Sequence, residues 1–322
     1  MGGHHERCRP ALRGVTCLLS RTFRIVCDIF MRMDKRKPMN TILTKSRQYL
    51  PLVKSLQTSL LVTTGMAGYM SARCPVFNLW TVAGLLLSLL LAISGSTILN
   101  MWWDQDIDAK MTRTKKRPLA NGQLSADEAL RLGLALSLLG VGLAVAMDAL
   151  YGLVIFAGLF FDVVIYSIWL KRRTAWSIVW GGISGGMPIL AGRALGHNGF
   201  DWVGVTLSLG VLFWIPTHIM TFSMKYYEDY QAAGVPTFPS TYGFHATRVA
   251  IAISSVFAAL SMGIAAWGIG MTIGYLRILA VLSMGLLVLA AMSVFRPTER
   301  VNFGLFKYAS LYMLGSMLLM MA

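Results

Sequence analysis

The sequence predicts an all-α polytopic membrane protein, a single bundle of nine transmembrane helices with its polar chemistry gathered at one membrane face. Three observations predict it. The 322-residue chain is 56% hydrophobic and only 13% charged, whereas a soluble domain carries roughly a quarter charged residues. Apolar runs of about 20 residues recur along it, each long enough to cross a ~30 Å hydrocarbon core as a helix. The basic residues, which set the net charge at +15, gather in alternate connections between the runs, as the positive-inside rule requires.

Read in order, the runs occupy about 50–70, 77–99, 129–147, 149–170, 175–195, 203–222, 248–270, 272–295 and 303–321. The third and fourth are separated only by Asp148. The fifth carries Gly181-Gly182 and Gly185-Gly186, which read as close helix packing. With the N-terminus cytoplasmic, segments 1–48, 100–127, 171–174, 223–248 and 296–302 lie inside and hold 23 of the 29 Lys and Arg residues. That asymmetry gives an N-in, C-out orientation and accounts for the basicity, so nucleic acid is not an expected partner. The chain divides at about residue 45 into a basic N-terminal extension, disordered or a start-site artefact, and a transmembrane domain over 46–322. The extension lacks the apolar core of a secretory signal. Cys8, Cys17, Cys27 and Cys74 form no CxxC or Cys/His pattern and read as incidental thiols. His4 and His5 are too isolated to argue for metal.

The second run ends in NMWWDQDIDAKMTRTKKRPLANG, residues 100–122. Asn100, Asp104 and Asp108 are spaced i, i+4, i+8, and on a continuing helix they share one face, while Asp106 points elsewhere. Three stacked oxygen-bearing side chains suit a hard divalent cation such as Mg2+, which takes carboxylates together with phosphate and water. Acids at a helix end are also ordinary solvated interface residues, which explains one aspartate better than a three-tiered column. Lys110, Arg113, Lys115, Lys116 and Arg117 follow, before Pro118 breaks the helix. A carboxylate column beside a basic cluster is the arrangement expected to grip a metal diphosphate. The positive-inside rule accounts for some of these bases.

The sixth run ends in FWIPTHIMTFSMKYYEDYQAAGVPTFPSTYG, residues 213–243. His218, Lys225 and Asp229 fall at i, i+7 and i+11, one helix face, with Glu228 at its flank. Pro216 is expected to loosen the helix one turn before His218, and Gly234-Val235-Pro236 to end the segment. A histidine and a lysine at the edge of a bilayer read as functional, although His218 is equally readable as a packing residue. Asp229 is available to a second Mg2+ or to Lys225. By the charge-derived topology both constellations lie on the cytoplasmic side, which implies one site at that boundary.

N-x3-D-x-D-x-D followed by MTRTKKRPLANG resembles the first signature of the UbiA-type membrane prenyltransferases. Together with YSIWLKRRT at 166–174 and DYQAAGVPTFPSTYG at 229–243, it is most similar to the protoheme IX farnesyltransferase branch, from about Tyr49 to the C-terminus. The resemblance implies a nine-helix bundle whose cavity opens to the cytoplasm and to lipid. Farnesyl diphosphate would bind there with Mg2+ at Asn100, Asp104 and Asp108, and Arg113, Arg117 and Lys171 would contact the diphosphate. In most of the superfamily the second motif has two aspartates four apart. Here Tyr226 and Tyr230 stand at those positions, with Lys225 and Asp229 beside them, which leaves a second Mg2+ open and offers Lys225 as the alternative positive charge. The branch's W-T-P-P-H-F-W is WIPTHIM in this chain, so the histidine is kept and the flanking aromatics are lost.

Catalysis is therefore expected of Asp104, Asp108, Lys225 and Asp229. Asn100, Arg113, Lys116, Arg117, Lys171, His218, Tyr226 and Tyr230 are expected to bind substrate. Ionisation of the allylic diphosphate is electrostatic catalysis, and the farnesyl cation needs a dry cavity, with Trp102 and Trp103 available to line it. A vinyl group of haem B would attack C1, and water would complete the product, with His218 near the porphyrin. Two other readings stay open. One is prenyl transfer to a quinone precursor or a glycerol-phosphate lipid. The other is a secondary transporter, for which Asp162 is the main candidate for a deep charge. Expected localisation is the cell inner membrane, or the mitochondrial inner membrane if the source is eukaryotic. Membrane lipids are expected partners, and no oligomeric state is assigned.

Overall fold

The computed structural model describes residue 52 and residues 55–72 and 78–321. The N-terminal extension with its cysteines and histidines, Cys74, and the start of the first apolar run lie outside the described residues. Among the described residues the chain is all-helical. The helices are α1 Ser55–Ser71, α2 Leu79–Trp103, α3 Gln105–Lys110, α4 Ala126–Met147, α5 Ala149–Phe160, α6 Ser177–His197, α7 Trp202–Lys225, α8 Tyr227–Ala232, α9 Phe238–Ile269, α10 Ile273–Phe295 and α11 Glu299–Met321. A π-helix, Phe161–Leu170, continues α5 without a break.

Each expected run lies on one of these helices. Seven helices are long and apolar enough to cross a membrane, counting α5 with its π-helical extension. α1, with 17 described residues, and α6, diluted by glycines and Pro188, are outside that group. Nine crossings therefore remain an expectation, while seven rest on length and composition. The large apolar side chains that face outward, among them Leu138, Val281 and Phe295, suit contact with lipid rather than water.

Helix boundaries follow from capping. Asn78 accepts from the Trp80 and Thr81 amides to start α2, Ser125 from Glu128 to start α4, and Asp201 from Gly204 to start α7. Asp148 does two things at once. In an extended conformation (φ −159°, ψ 135°) it ends α4, and its side chain accepts from the Tyr151 amide, 2.7 Å, to start α5. One residue thus suffices for the turn that the sequence left as the thinnest boundary.

The long helices form a ring in chain order. α1 meets α2, then α4, α5, α6, α7, α9, α10 and α11 follow, and α11 returns to α1; α1 with α6 and α7 with α11 make the cross-contacts. The α1/α6 crossing is backbone against backbone: a Cβ on Gly192 would lie 1.9 Å from the Gly65 carbonyl oxygen. Gly186 likewise faces Ser208 of α7, as the glycine pairs of the fifth run led one to expect. The core divides into a larger cluster among α6, α7, α9, α10 and α11, and a smaller one among α1, α2, α4, α5 and α6. Two small clusters sit where the site is built. Leu52, Ile98, Met101, Leu119 and Leu124 seat the 111–125 segment on α2, and Ile107, Met111, Ala233 and Val235 dock it against the chain after α8.

Candidate active site

Asn100, Asp104 and Asp108, expected as an acidic column, do not lie on one uninterrupted helix. α2 ends at Asp104 (φ −93°, ψ 12°) and α3 begins there, yet the Asp104 amide donates to Asn100 O at 3.0 Å and Asp108 to Asp104 O at 2.8 Å. The four-residue backbone hydrogen bonding is thus kept across the kink. Asp104 and Asp108 are each 5% exposed. Asp106 is off the column as expected, paired on the surface with Arg172 through two 2.7 Å hydrogen bonds. That bonding holds the Asp106 carboxyl below its usual range.

Each buried carboxylate has its own cation. Lys171, the residue after the π-helix, pairs with Asp104 Oδ2, and Arg117 Nη1 meets Asp108 Oδ2 at 2.6 Å. Arg117 is carried there by the turns of the 111–125 segment, which Thr114 anchors by donating to the Asp108 carbonyl at 3.0 Å. Lys110, Lys115 and Lys116 are exposed and make no ion pair among the described residues. The Asp104 Oδ1, by contrast, is buried with no hydrogen-bond partner.

The second constellation comes to the same end of the bundle, by a different geometry than its spacing implies. α7 stops at Lys225, Tyr226 leaves the helix (φ −108°, ψ 35°), and Asp229 rides on the separate α8. His218, Lys225 and Asp229 therefore do not share one helix face. Asp229 does not pair with Lys225 either. Its carboxylate accepts from the Thr112 hydroxyl, the Thr112 amide at 3.1 Å and the Arg113 amide at 3.4 Å. Those hydrogen bonds, led by the hydroxyl, hold its carboxyl below the usual range. Asp229 thus ties α8 to the first constellation's loop. Lys225 lies 3.7 Å over the Phe303 ring of α11, and the Arg113 guanidinium sits 4.9 Å over Phe222 and 5.5 Å over Tyr226. Tyr230 packs on the Ile107/Met111 cluster, near Lys171.

From Arg113 a file of rings runs deeper. Tyr226 meets Phe222 at 4.6 Å, Phe222 meets Phe306 at 5.7 Å, and Phe306 stacks on His218 at 4.6 Å. The other face of His218 stacks on Trp214 at 4.9 Å, and Trp214 donates to the Ala309 carbonyl at 2.7 Å. α7 stays helical through Pro216, and Ser254 of α9 donates to the Phe213 carbonyl in that turn. The motif's own Trp214, one turn before His218, stays stacked on it, and Phe306 from α11 adds in space an aromatic that the residues after His218 lack.

Sequence reasoning missed what two elements contribute. α11 brings Phe303, Phe306 and Ser310, whose hydroxyl lies 3.3 Å from His218 Nδ1; no local pattern marks them. The π-helix brings Asp162 and Ser167 to Asn100: Asn100 Nδ2 donates to Asp162 Oδ2 and Ser167 donates to Asn100 Oδ1, both at 2.8 Å. The signal available was Asp162 itself, an acid in an apolar run. Instead of marking a transport path, it meets Asn100 and Ser96.

The donors at the column are oxygens, and Asp104 offers a buried oxygen with no partner, which fits a hard divalent cation. Among the described residues no three His, Cys, Asp or Glu side chains converge into a closed cage. Mg2+ is ordinarily held by one or two carboxylates with substrate phosphates completing its shell, so the two are compatible.

Comparison with known proteins places this architecture. The model of the UbiA prenyltransferase family matches residues 60–311. The protoheme IX farnesyltransferase of Archaeoglobus fulgidus is 42% identical over 218 residues, covering 68% of this chain and 75% of that protein. That of Symbiobacterium thermophilum is 36% identical over 221 residues, covering 69% and 74%. Among solved structures, a digeranylgeranylglyceryl phosphate synthase superposes with a TM-score of 0.72 at 18% identity, covering 86% of this chain and 98% of that one. A UbiA homologue from Archaeoglobus fulgidus bound to GPP and Mg2+ superposes with a TM-score of 0.61 at 15% identity, covering 85% and 100%. The structural likenesses share the fold, and the sequence relatives and the family match share more: this chain belongs to the UbiA prenyltransferase family and is an integral membrane prenyltransferase.

Proposed function

We propose that the protein transfers the farnesyl group of farnesyl diphosphate to a vinyl group of protoheme IX, with Mg2+ at the diphosphate. The observation that carries the grip is the buried, unpartnered Asp104 Oδ1 beside Lys171. The acceptor follows the curated relatives at 36–42% identity, which are protoheme IX farnesyltransferases. Asn100, Asp104 and Asp108 would hold the cation, which when bound neutralises the leaving diphosphate. Arg113, Arg117 and Lys171 would take phosphate oxygens, with Lys116 at the outer edge. Asp229 holds the loop that carries Arg113, and Lys225 adds positive charge at the mouth without a second metal.

The farnesyl C1–O bond then breaks, and C1 joins the terminal carbon of the vinyl group. Water adds to the inner vinyl carbon and gives up a proton, leaving a hydroxyethylfarnesyl side chain and diphosphate. Apolar and aromatic walls keep other water from the allylic cation. The file from Phe222 through Phe306 to His218 runs from the diphosphate end into the bundle and supplies such a wall, and His218 at its end would face the porphyrin. We place this end at the cytoplasmic face, with the N-terminus inside and the C-terminus outside.

The test is to incubate membranes containing the protein with Mg2+, farnesyl diphosphate and haem B and to look for the farnesylated, hydrated haem by mass. Its absence, with prenylation of a quinone precursor or a glycerol-phosphate lipid instead, overturns the acceptor while leaving the diphosphate end intact.

A further inference from the structure

Asp162 stands in an apolar stretch, FFDVVIYSIWL, where a carboxylate is costly unless it serves something. Among the described residues no Lys or Arg pairs with it. Its contacts are the Ser96 hydroxyl and the Asn100 amide, both donating to Oδ2. Ser96, Asn100, Asp104 and Asp108 follow at four-residue intervals, so Asp162 meets the acidic column one turn deeper in the membrane than its first expected member.

The contact settles which way the Asn100 amide points. The oxygen that accepts from Ser96 is an acceptor, so the group of Asn100 that faces it is the NH2. The amide oxygen must face the other way, where Ser167 donates to it at 2.8 Å. Ser167 occupies one of the oxygen's two lone pairs and leaves one. An amide pinned at both ends cannot turn over. The π-helical pitch makes this possible, since it brings residues five apart in sequence into register, as in the Lys171 amide donating to Tyr166 O at 2.8 Å. Asp162 and Ser167 are such a pair, and the same segment delivers Lys171 to Asp104. One π-helical element therefore reaches both Asn100 and Asp104.

We infer that Asp162, with Ser167, is a positioning residue for the metal–diphosphate end: it fixes the Asn100 amide so that its remaining oxygen lone pair is offered to the divalent cation. This rests on reading Asn100, Asp104 and Asp108 as the cation's residues.

The experiment reads metal binding rather than turnover: Mn2+ with inorganic diphosphate, followed by electron paramagnetic resonance on the purified protein, with thermal unfolding alongside. Asp162→Asn keeps the volume but lets either amide turn over, and is expected to weaken Mn2+ binding by about tenfold or more, the usual effect of losing such a supporting hydrogen bond. Ser167→Ala, which alters no charge, should shift binding in the same direction by less. The exchange Asn100→Asp with Asp162→Asn should recover most of the affinity, because the new amide NH2, at the place of Oδ2, can donate both to the new carboxylate and to the Ser96 hydroxyl oxygen. In an Asn100→Ala background, Asp162→Asn should do nothing further to Mn2+ binding. Unchanged affinity in Asp162→Asn, while Asp104→Ala loses Mn2+, overturns this inference and spares the metal site. So does an equal loss with and without Asn100. Intact Mn2+ binding in Asp104→Ala overturns the metal site and this inference with it.

Discussion

Asp104→Asn separates the chemistry of the site from its stability. The Asp104 and Lys171 side chains are 7% and 17% exposed, so removing the carboxylate altogether leaves a buried ammonium alone, at about 3–5 kcal/mol. Asparagine avoids most of that, since its oxygen can still accept from Lys171. The new NH2 sits where Oδ1 has no partner, and one unsatisfied buried group costs ~1–3 kcal/mol. Folding should thus survive, with a modest fall in melting temperature. The catalytic loss should be larger than this, because the negative charge facing the cation is gone. Removing one preorganised electrostatic contact of this kind costs about 10²–10³-fold in kcat, or ~3–4 kcal/mol of barrier. The assay is product formation from farnesyl diphosphate and haem B, quantified by mass at saturating Mg2+, beside a thermal melt of the same preparation. A folded Asp104→Asn protein that keeps turnover within roughly threefold of the parent, well under the loss such contacts produce, refutes the assignment of Asp104 to the cation.

Arg117→Lys keeps the charge beside Asp108 but loses the planar fork; it should raise KM for farnesyl diphosphate about tenfold with kcat less affected, seen in initial rates. His218→Leu removes a ring stacked on Trp214 and Phe306. It should lose ~1 kcal/mol of stacking and weaken haem B binding in an absorbance titration; unchanged haem binding and turnover would remove His218 from the acceptor site. Gly192→Ala drives a methyl to 1.9 Å from the Gly65 carbonyl oxygen and should destabilise by ~1–3 kcal/mol or more, while Gly142→Ala, whose Cβ meets nothing within 4 Å, should be neutral or better in the same melt. Burial works to raise the Asp201 carboxyl pKa, and the Arg193 hydrogen bonds overcome it, leaving it below the usual carboxylate range. A depressed carboxyl contributes stability above its unfolded pKa that is lost as pH falls through the folded one. In Arg193→Leu that contribution is lost and only weaker contacts such as the Gly204 amide still oppose burial, so the variant should melt below the parent near neutral pH and the gap should close as pH falls through the acidic range, read by melts across that range.

The hydrophobic runs were legible because a bilayer accepts few solutions, and the sequence marks them by length and charge. Even the thin boundary at Asp148 is readable afterwards as chemistry: a short acid able to cap the next helix can end one and start another in a single extended residue. What the pattern could not carry was pitch. Nothing in FFDVVIYSIWL distinguishes a π-helix from an α-helix; the difference shows only in the contacts of Asp162 and Ser167 with Asn100 and of Lys171 with Asp104. The i+11 relation of His218 to Asp229 failed for a related reason. It assumed a helix that Tyr226 ends, and the hold on Asp229 comes from Thr112, 117 positions away.

The same distances explain the sharper revision at the site. Read as a string, the acids belong to a metal and the bases to a phosphate, as if they served two ligands. Folded, they belong to each other: Asp104 to Lys171 and Asp108 to Arg117, and Asp229 to the loop that holds Arg113. Buried carboxylates this deep would be costly alone, and the cations paired with them offset that cost before any ligand arrives. A divalent cation arriving with a diphosphate brings both signs of charge, so each pair can exchange its partner for one of opposite sign without baring a charge. The pairing that holds the free site together is thus the same set of charges that would separate to take up the substrate, which is why single substitutions on either side should be felt in both stability and binding.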